Sequence, residues 1–232
     1  MLDITSALQD ILRRKTLQAS TQSLACSEVV SQLASSILDE VRREPATFPL
    51  ILQEALNEAS RRLDRVSLAV TGLAWLGSGI PSVEQEMTAL VQGARREIAL
   101  CAYSITAGAM TLLREIRDVV SQGVTATLIV NAFNRQPADV QMYLRDAARA
   151  LPDRWKLLDF APTGSTAELH AKILAVDRTV ALVGSANLSF HGMVSNHEMA
   201  LVVRGPTAED IAVRIDRLAR GTSVRTVEPL AT

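Results

Sequence analysis

The stretch LHAKILAVDRTVALVGSANLSFHGMVSNHEMALVV, residues 169–203, holds all three histidines of the chain and one of its three lysines. The other basic side chains are almost all arginine, 21 of them. In an extended segment, residues two apart point the same way. His170 and Lys172 therefore stand side by side, with Ala171 and Ile173 turned to the other face. An ammonium beside an imidazole is poor core material, because neither group belongs in an apolar interior. The pair suits an anion. Lysine brings three donors and a compact charge, and histidine moves a proton near neutral pH. Lysine standing where arginine is the rule points to a point charge in place of a planar fork.

A second run, GSAN, supplies Gly184, Ser185 and Asn187. Glycine allows close backbone approach. Ser and Asn are neutral donors of the kind that hold phosphoryl oxygens. Glu198 opens a later strand and can accept a hydrogen bond from an imidazole N–H, which would set the tautomer. Each of these alone has an ordinary explanation: a surface pair, a turn, a solvated strand end. His191 and His197 have no partner that the sequence names. A three-histidine metal site is disfavoured, because spacings of 21 and 6 match no compact ligand pattern.

The elements that must position these residues read as follows. HAKILAV and TVALVG are β-rich runs joined by Asp177-Arg178, a connection that suits a hairpin. HEMALVV is a further strand, followed by a helix over 208–219. Upstream, Ser82 and Gln85 form a capping box for a helix to Ala94. EIALCAYSI is a strand, Thr106 caps a helix to Gln122, and Gly123 stops it. VTATLIVN is a second strand, a helix follows Pro137, and WKLLDF is a third strand. Alternating strands and helices predict an α/β domain with parallel pairs. The hairpin makes the sheet mixed, and helices must flank both of its faces. Before it, Ser27 and Thr47 cap amphipathic runs, and a helix is expected over 4–19. The predicted layout is an α-helical N-terminal region over 1–65, the α/β domain over 66–220 and a tail over 221–232.

Composition bounds the rest. With 232 residues and 48% apolar side chains, a sizeable core is available. Net charge is -1, so bulk charge shows no strongly basic face, although a local basic groove remains open. Cys26 and Cys101 read as buried free thiols, which fits a reducing compartment. The N-terminus MLDITSALQD has no basic segment and does not read as a signal peptide. The uncharged window over 66–83 is short and rich in glycine, so it reads as a buried strand plus a turn and not as a membrane span.

Taken together, the pattern is His170-x-Lys172-x4-Asp177-x6-Gly184-Ser185-x-Asn187. Six fixed positions match by chance at roughly one start in 10^7 to 10^8. The pattern resembles the HKD signature of the phospholipase D superfamily, and Asn196-x-Glu198 resembles the acidic element that follows it. REIALCAYSIT and GVTATLIVN resemble the first half of single-motif, Nuc-type bacterial endonucleases. A narrower resemblance is to the phospholipase-D-like component of the DISARM anti-phage defence system.

The resemblance implies a phospholipase D-like fold and a metal-independent phosphodiesterase without cofactor. His170 would be the nucleophile and acid. Lys172 and Asn187 would hold nonbridging oxygens. Ser185 and Glu198 would support the histidine, and Asp177 would serve mainly structure at the hairpin turn. A single motif implies a homodimer that completes one site from two copies. Nucleic acid is the favoured substrate, with DNA first. Phospholipid is the alternative within the same chemistry, and a non-catalytic nucleic-acid-binding or scaffold subunit with defence-system protein partners is the alternative outside it. Stable membrane insertion is not expected, and a cytoplasmic location is.

Overall fold

A computed structural model describes residues 63–228, Leu76 and Ser78 excepted. The helices expected at 4–19, after Ser27 and after Thr47, and Cys26, lie outside the described residues. Everything below belongs to the unit Asp64–Thr232.

Eight strands form one sheet: β1 (Arg65–Thr71), β2 (Glu97–Ala102), β3 (Thr125–Asn131), β4 (Trp155–Phe160), β5 (Ile173–Val176), β6 (Val180–Gly184), β7 (Glu198–Arg204) and β8 (Val224–Thr226). Their order is β1-β7-β6-β5-β2-β3-β4-β8. The pairs β2–β3 and β3–β4 are parallel, and the others are antiparallel. Four helices accompany it: α1 (Val83–Gly93), α2 (Met110–Ser121), α3 (Ala138–Ala150) and α4 (Pro206–Ala219).

Helices cover both faces, as the alternation requires. On one face Met87, Leu113, Ile116 and Leu144 of α1, α2 and α3 share a core with Leu100, Leu128 and Leu174. On the other, Ala208, Ala212 and Ile215 of α4 pack on Ile129, Leu158 and Ala181. The small residues of α4 let it lie close to the sheet. Cys101 is buried there as a free thiol, and burial pushes it up to about 12.

The capping box at Ser82 forms in both directions: Gln85 N–H donates to Ser82 Oγ, and Ser82 N–H to Gln85 Oε1, each at 3.0 Å. Other boundaries move. Thr106 makes no side-chain cap, and a 3-10 turn, Ala107–Ala109, intervenes before α2. The window over 66–83 is not a buried strand throughout. β1 is an edge strand whose first four residues are exposed, and only Ala69, Val70 and Thr71 are buried. The residues after 220 are not simply a tail. β8 pairs antiparallel with β4, and Val227 is buried beside it. A three-residue strand with one apolar side chain carries too little periodicity to be read in advance.

The hairpin joining β5 and β6 turns on Asp177 (φ 53°) and Arg178 (φ 59°). Positive φ at both central residues is the geometry that matches the twist of paired strands.

Candidate active site

The topology sends most of the singled-out residues to one end of the sheet. The parallel strands β2, β3 and β4 finish there, at Ala102, Asn131 and Phe160. Antiparallel pairing brings the start of β5, the finish of β6 and the start of β7 to the same end. Ligands of α/β sheets sit beyond the carboxyl ends of parallel strands.

His170 and Lys172 lie in the lead-in to β5, three residues and one residue before Ile173, whereas the sequence starts the strand at His170. Gly184 N–H still donates to Lys172 O at 3.2 Å, so the lead-in stays registered against β6. The two side chains do meet. Lys172 Nζ is 3.2 Å from both imidazole nitrogens and donates to His170 O at 3.0 Å. His170 is exposed, whereas Lys172 is 9% exposed. Burial pulls the Lys172 ammonium below its ordinary value, and the Glu198 carboxylate acts against that shift.

Glu198 is bound differently from the expectation. Ser185 Oγ donates to Glu198 Oε2, and Asn196 Nδ2 donates to Oε1 at 3.4 Å. Met199 N–H in turn donates to Ser185 Oγ at 3.3 Å. Among the described residues no imidazole N–H of His170 reaches this carboxylate. Within one copy, its link to the His170–Lys172 pair is the field it exerts on the ammonium. Asn187 sits two residues past Ser185. Its Oδ1 is buried without a hydrogen-bond partner among the described residues, so that side chain is not committed to an internal network. Asn187 is held from behind by Gly192, where a Cβ would come within 2.3 Å of Asn187 O.

Gly184 earns its place for a reason other than ligand approach. A Cβ there would lie 2.6 Å from Ala200 Cβ and 2.8 Å from Met199 O, so only glycine lets β7 close on β6 at this point.

Asp177 is not among the gathered residues. It sits at the opposite end of the hairpin, roughly 16 Å of extended chain from Lys172. Its carboxylate accepts from Arg95 N–H at 2.9 Å, Arg96 N–H at 2.7 Å and Glu97 N–H at 2.9 Å. Burial opposes ionisation there, but these three bonds and the Arg96 charge together hold the carboxyl below its usual value. It clamps the hairpin to the start of β2.

The remaining histidines are engaged elsewhere. His191 Nδ1 is 2.9 Å from Ser195 Oγ, within the wide turn His191–Ser195. His197 Nε2 accepts from Ala74 N–H at 3.3 Å, and its ring packs edge-on against Trp75. No group of three or more His, Cys, Asp or Glu side chains among the described residues is arranged to hold a metal ion.

Sequence reasoning missed three residues. Tyr103 packs its ring 4.5 Å from that of His170, and Lys172 Nζ lies 5.1 Å from the centre of the same ring. One tyrosine thus touches both members of the pair. Gln136 is buried and ties the ends of β2 and β3 together, donating to Tyr103 O at 3.2 Å and Asn131 O at 2.8 Å. Asn131, also buried, accepts from Leu169 N–H at 2.8 Å and so seats the lead-in to His170. The scarcity of aromatics could have flagged Tyr103. Nothing in the local sequence could have flagged the two amides. We expect Tyr103→Ala to lower kcat about tenfold or more while Tyr103→Phe stays within about twofold, because an aromatic face beneath a cation is worth about 1–2 kcal/mol. Steady-state kinetics on the two variants checks this.

A sequence profile described as "Cardiolipin synthase, PLD-like domain" matches residues 87–219, more than half of the chain. The chain belongs to the phospholipase-D-like family. It is 28% identical over 117 residues to the DISARM protein DrmC of Bacillus paralicheniformis, a match that covers 50% of this chain and 47% of that one, so the match spans about half of the relative's length. The phospholipase-D-like fold recurs in Nuc from Salmonella typhimurium, at TM-score 0.54 and 19% identity over 72% of this chain and 99% of Nuc. NucT from Helicobacter pylori gives TM-score 0.54 and 17% identity over 71% of this chain and all of NucT. Phosphatidylserine synthase from Haemophilus influenzae gives TM-score 0.54 and 16% identity, covering 72% of this chain and 41% of that one.

Proposed function

We propose that this chain is a metal-independent phosphodiesterase acting on nucleic acid through a phosphohistidine intermediate, in a site completed by two copies. The observation that carries the reading is the His170–Lys172 contact, with the ammonium 3.2 Å from the imidazole nitrogens at the ligand-binding end of the sheet.

The chemistry follows from those groups. An imidazole nitrogen of one His170 attacks phosphorus, and an N–P bond forms as the P–O bond to the leaving group breaks. The second His170, from the partner copy, gives its proton to the departing oxygen. That histidine then takes a proton from water, whose oxygen attacks phosphorus and releases the first imidazole. This is nucleophilic plus general acid–base catalysis. Lys172 and Asn187 take the nonbridging oxygens, where donors fixed in advance act on charge that develops in the transition state. Glu198 and Ser185 keep the surroundings of Lys172 in order. This reading takes the second histidine from another copy, since the other two histidines are bonded in their own surroundings, His191 with Ser195 and His197 with Ala74.

Nucleic acid is favoured because the chain matches Nuc and NucT over nearly their whole length. The DISARM protein DrmC, similar over half the chain, supports a place in anti-phage defence alongside protein partners. A lipid phosphodiesterase is the second reading, favoured by the description of the matching profile and by the phosphatidylserine synthase neighbour. No helix among the described residues is long and apolar enough to cross a membrane.

The test offers single-stranded DNA, duplex DNA, RNA and phospholipid vesicles to purified protein in EDTA, with His170→Ala in parallel. We expect cleavage of a nucleic acid that survives EDTA and is lost in the variant. Cleavage of vesicles alone would select the lipid reading. Nucleic-acid binding without turnover by either protein would select a non-catalytic subunit.

A further inference from the structure

A cleft beside the site has no role in the chemistry above. It opens past the carboxyl ends of β3 and β4 and encloses about 620 Å³, inside the range of about 300–1,000 Å³ usual for small-molecule pockets. Its wall runs along the segment after β4 as far as Glu168, two residues before His170. Asn131 lines it and also holds Leu169 N–H, so cleft and His170 share one buried joint.

The rim is built to present Arg135. Ala132 takes a left-handed conformation (φ 43°), which costs a residue with a Cβ about 1 kcal/mol or more. That turn is held by Phe133 N–H donating to Asp159 Oδ1 at 2.7 Å and by Ala132 N–H donating to Phe160 O at 3.1 Å. It leads into the short turn Phe133–Arg135, which sets Arg135 exposed at the cleft. Arg135 has no ion pair among the described residues, whereas Arg225, the other guanidinium of the cleft, is held by Asp159 at 3.4 Å. Thr163, Ser165 and Thr166 add hydroxyl donors and acceptors along the wall. A guanidinium without an ion pair among the described residues, in a cleft lined by hydroxyls and amides, matches a phosphate and the sugar attached to it, with Glu168 as the one carboxylate of the lining.

We infer that this cleft takes the unpaired nucleotide next to the scissile phosphodiester of a single polynucleotide strand, with Arg135 on that nucleotide's phosphate. The inference rests on the nuclease reading and deepens it. A cleft of this volume has room for one nucleotide, and a base turns into it only when it is not held in a duplex stack. A two-fold dimer would carry two such clefts, each beside its own His170. A polymer is polar on both sides of its scissile phosphate and fits that arrangement. A phospholipid carries hydrocarbon on one side, and a lining more polar than apolar suits acyl chains poorly.

The test uses the full-length chain with two substrates: a labelled single-stranded DNA of about 12 nucleotides and bis(p-nitrophenyl) phosphate, which has no flanking nucleotide. In Arg135→Glu, the ratio of kcat/KM for the oligonucleotide to that for the small diester falls about tenfold, and the log–log salt slope of oligonucleotide binding shrinks by about one per cleft. Arg149→Glu, the same charge change on the outer side of α3, leaves the ratio unchanged. An unchanged ratio in Arg135→Glu, or an equal fall on both substrates, overturns the inference. A duplex of the same sequence that loses as much as the single strand overturns the single-strand assignment. If the wild-type chain turns over neither substrate, the nuclease reading fails and fluorescence anisotropy decides the cleft separately. Arg135-dependent binding of the oligonucleotide by His170→Ala keeps the cleft as a nucleic-acid site, and binding indifferent to Arg135, or none, removes it.

Discussion

On the proposed two-histidine mechanism, replacing His170 by alanine is expected to lower kcat for phosphodiester cleavage by about 10^4-fold, because one side chain would supply both the attacking nitrogen and, from the partner copy, the proton for the leaving oxygen. The fold survives. His170 is exposed and precedes β5, so its loss removes no core packing and no ladder bond. Thermal unfolding therefore shifts by less than about 2 °C, as for a surface change. A fall in Tm that tracks the loss of activity would assign His170 to stability instead. The same variant tests the composite site. When equal amounts of wild-type and His170→Ala protein exchange subunits, only a quarter of the dimers carry two histidines, so activity settles at about half of that of the unmixed wild type. A site complete within one copy keeps its full activity on mixing.

The largest expected effect on stability is at the other end of the hairpin. Asp177→Ala removes the acceptor of three backbone N–H groups, those of Arg95, Arg96 and Glu97. It also puts alanine at φ 53°, a conformation that aspartate tolerates better. Leaving donors without a partner costs about 1–3 kcal/mol each when they are fully buried, and these are partly exposed, so the total is about 2–4 kcal/mol. Tm falls by about 10 °C. Asp177→Asn tolerates the left-handed backbone and keeps one oxygen. Oδ1 serves two of the three donors, so about a third of the loss is expected if the amide oxygen takes that position. The pH dependence has a definite sign. The folded carboxyl sits below its unfolded value, so its contribution is present above about pH 3.9 and is lost as pH falls below that. The stability difference between wild type and Asp177→Ala, followed by denaturant titration, therefore narrows in acid. A difference that is constant from neutral pH to pH 2 would sink the clamp.

These two residues belong to one sequence pattern yet act at opposite ends of one hairpin. The spacing between them explains why. Lys172 and Asp177 bracket a four-residue strand, Ile173–Val176, which passes through both cores of the sheet. Asp177 belongs to the pattern as an anchor: it ties the hairpin that carries His170 to the start of β2. Gly184 is similar. The expectation of close backbone approach is correct, but what approaches is β7, through Ala200 and Met199.

The sequence by itself determined the pair His170–Lys172, the hairpin, the capping box at Ser82 and the alternation that makes a two-faced α/β sheet. These depend on residues within a few positions of one another, where side-chain period, turn chemistry and capping operate directly. The tertiary structure alone decided which partners surround the pair. Tyr103 is 67 positions before His170, Asn131 38 before Leu169, and Gln136 33 after Tyr103. Such contacts depend on strand order, and β5 falls between β2 and β6 only once the antiparallel hairpin has added to the parallel strands. The same order decided which groups bind Glu198 within one copy. Pairing of β6 with β7 places Ser185 against Glu198. The order also made an edge strand of Val224–Thr226, and it left a polar cleft beside His170. Spacing along a chain reports local geometry, whereas the fold decides which distant groups meet, because that depends on the register of strands and the packing of helices over them.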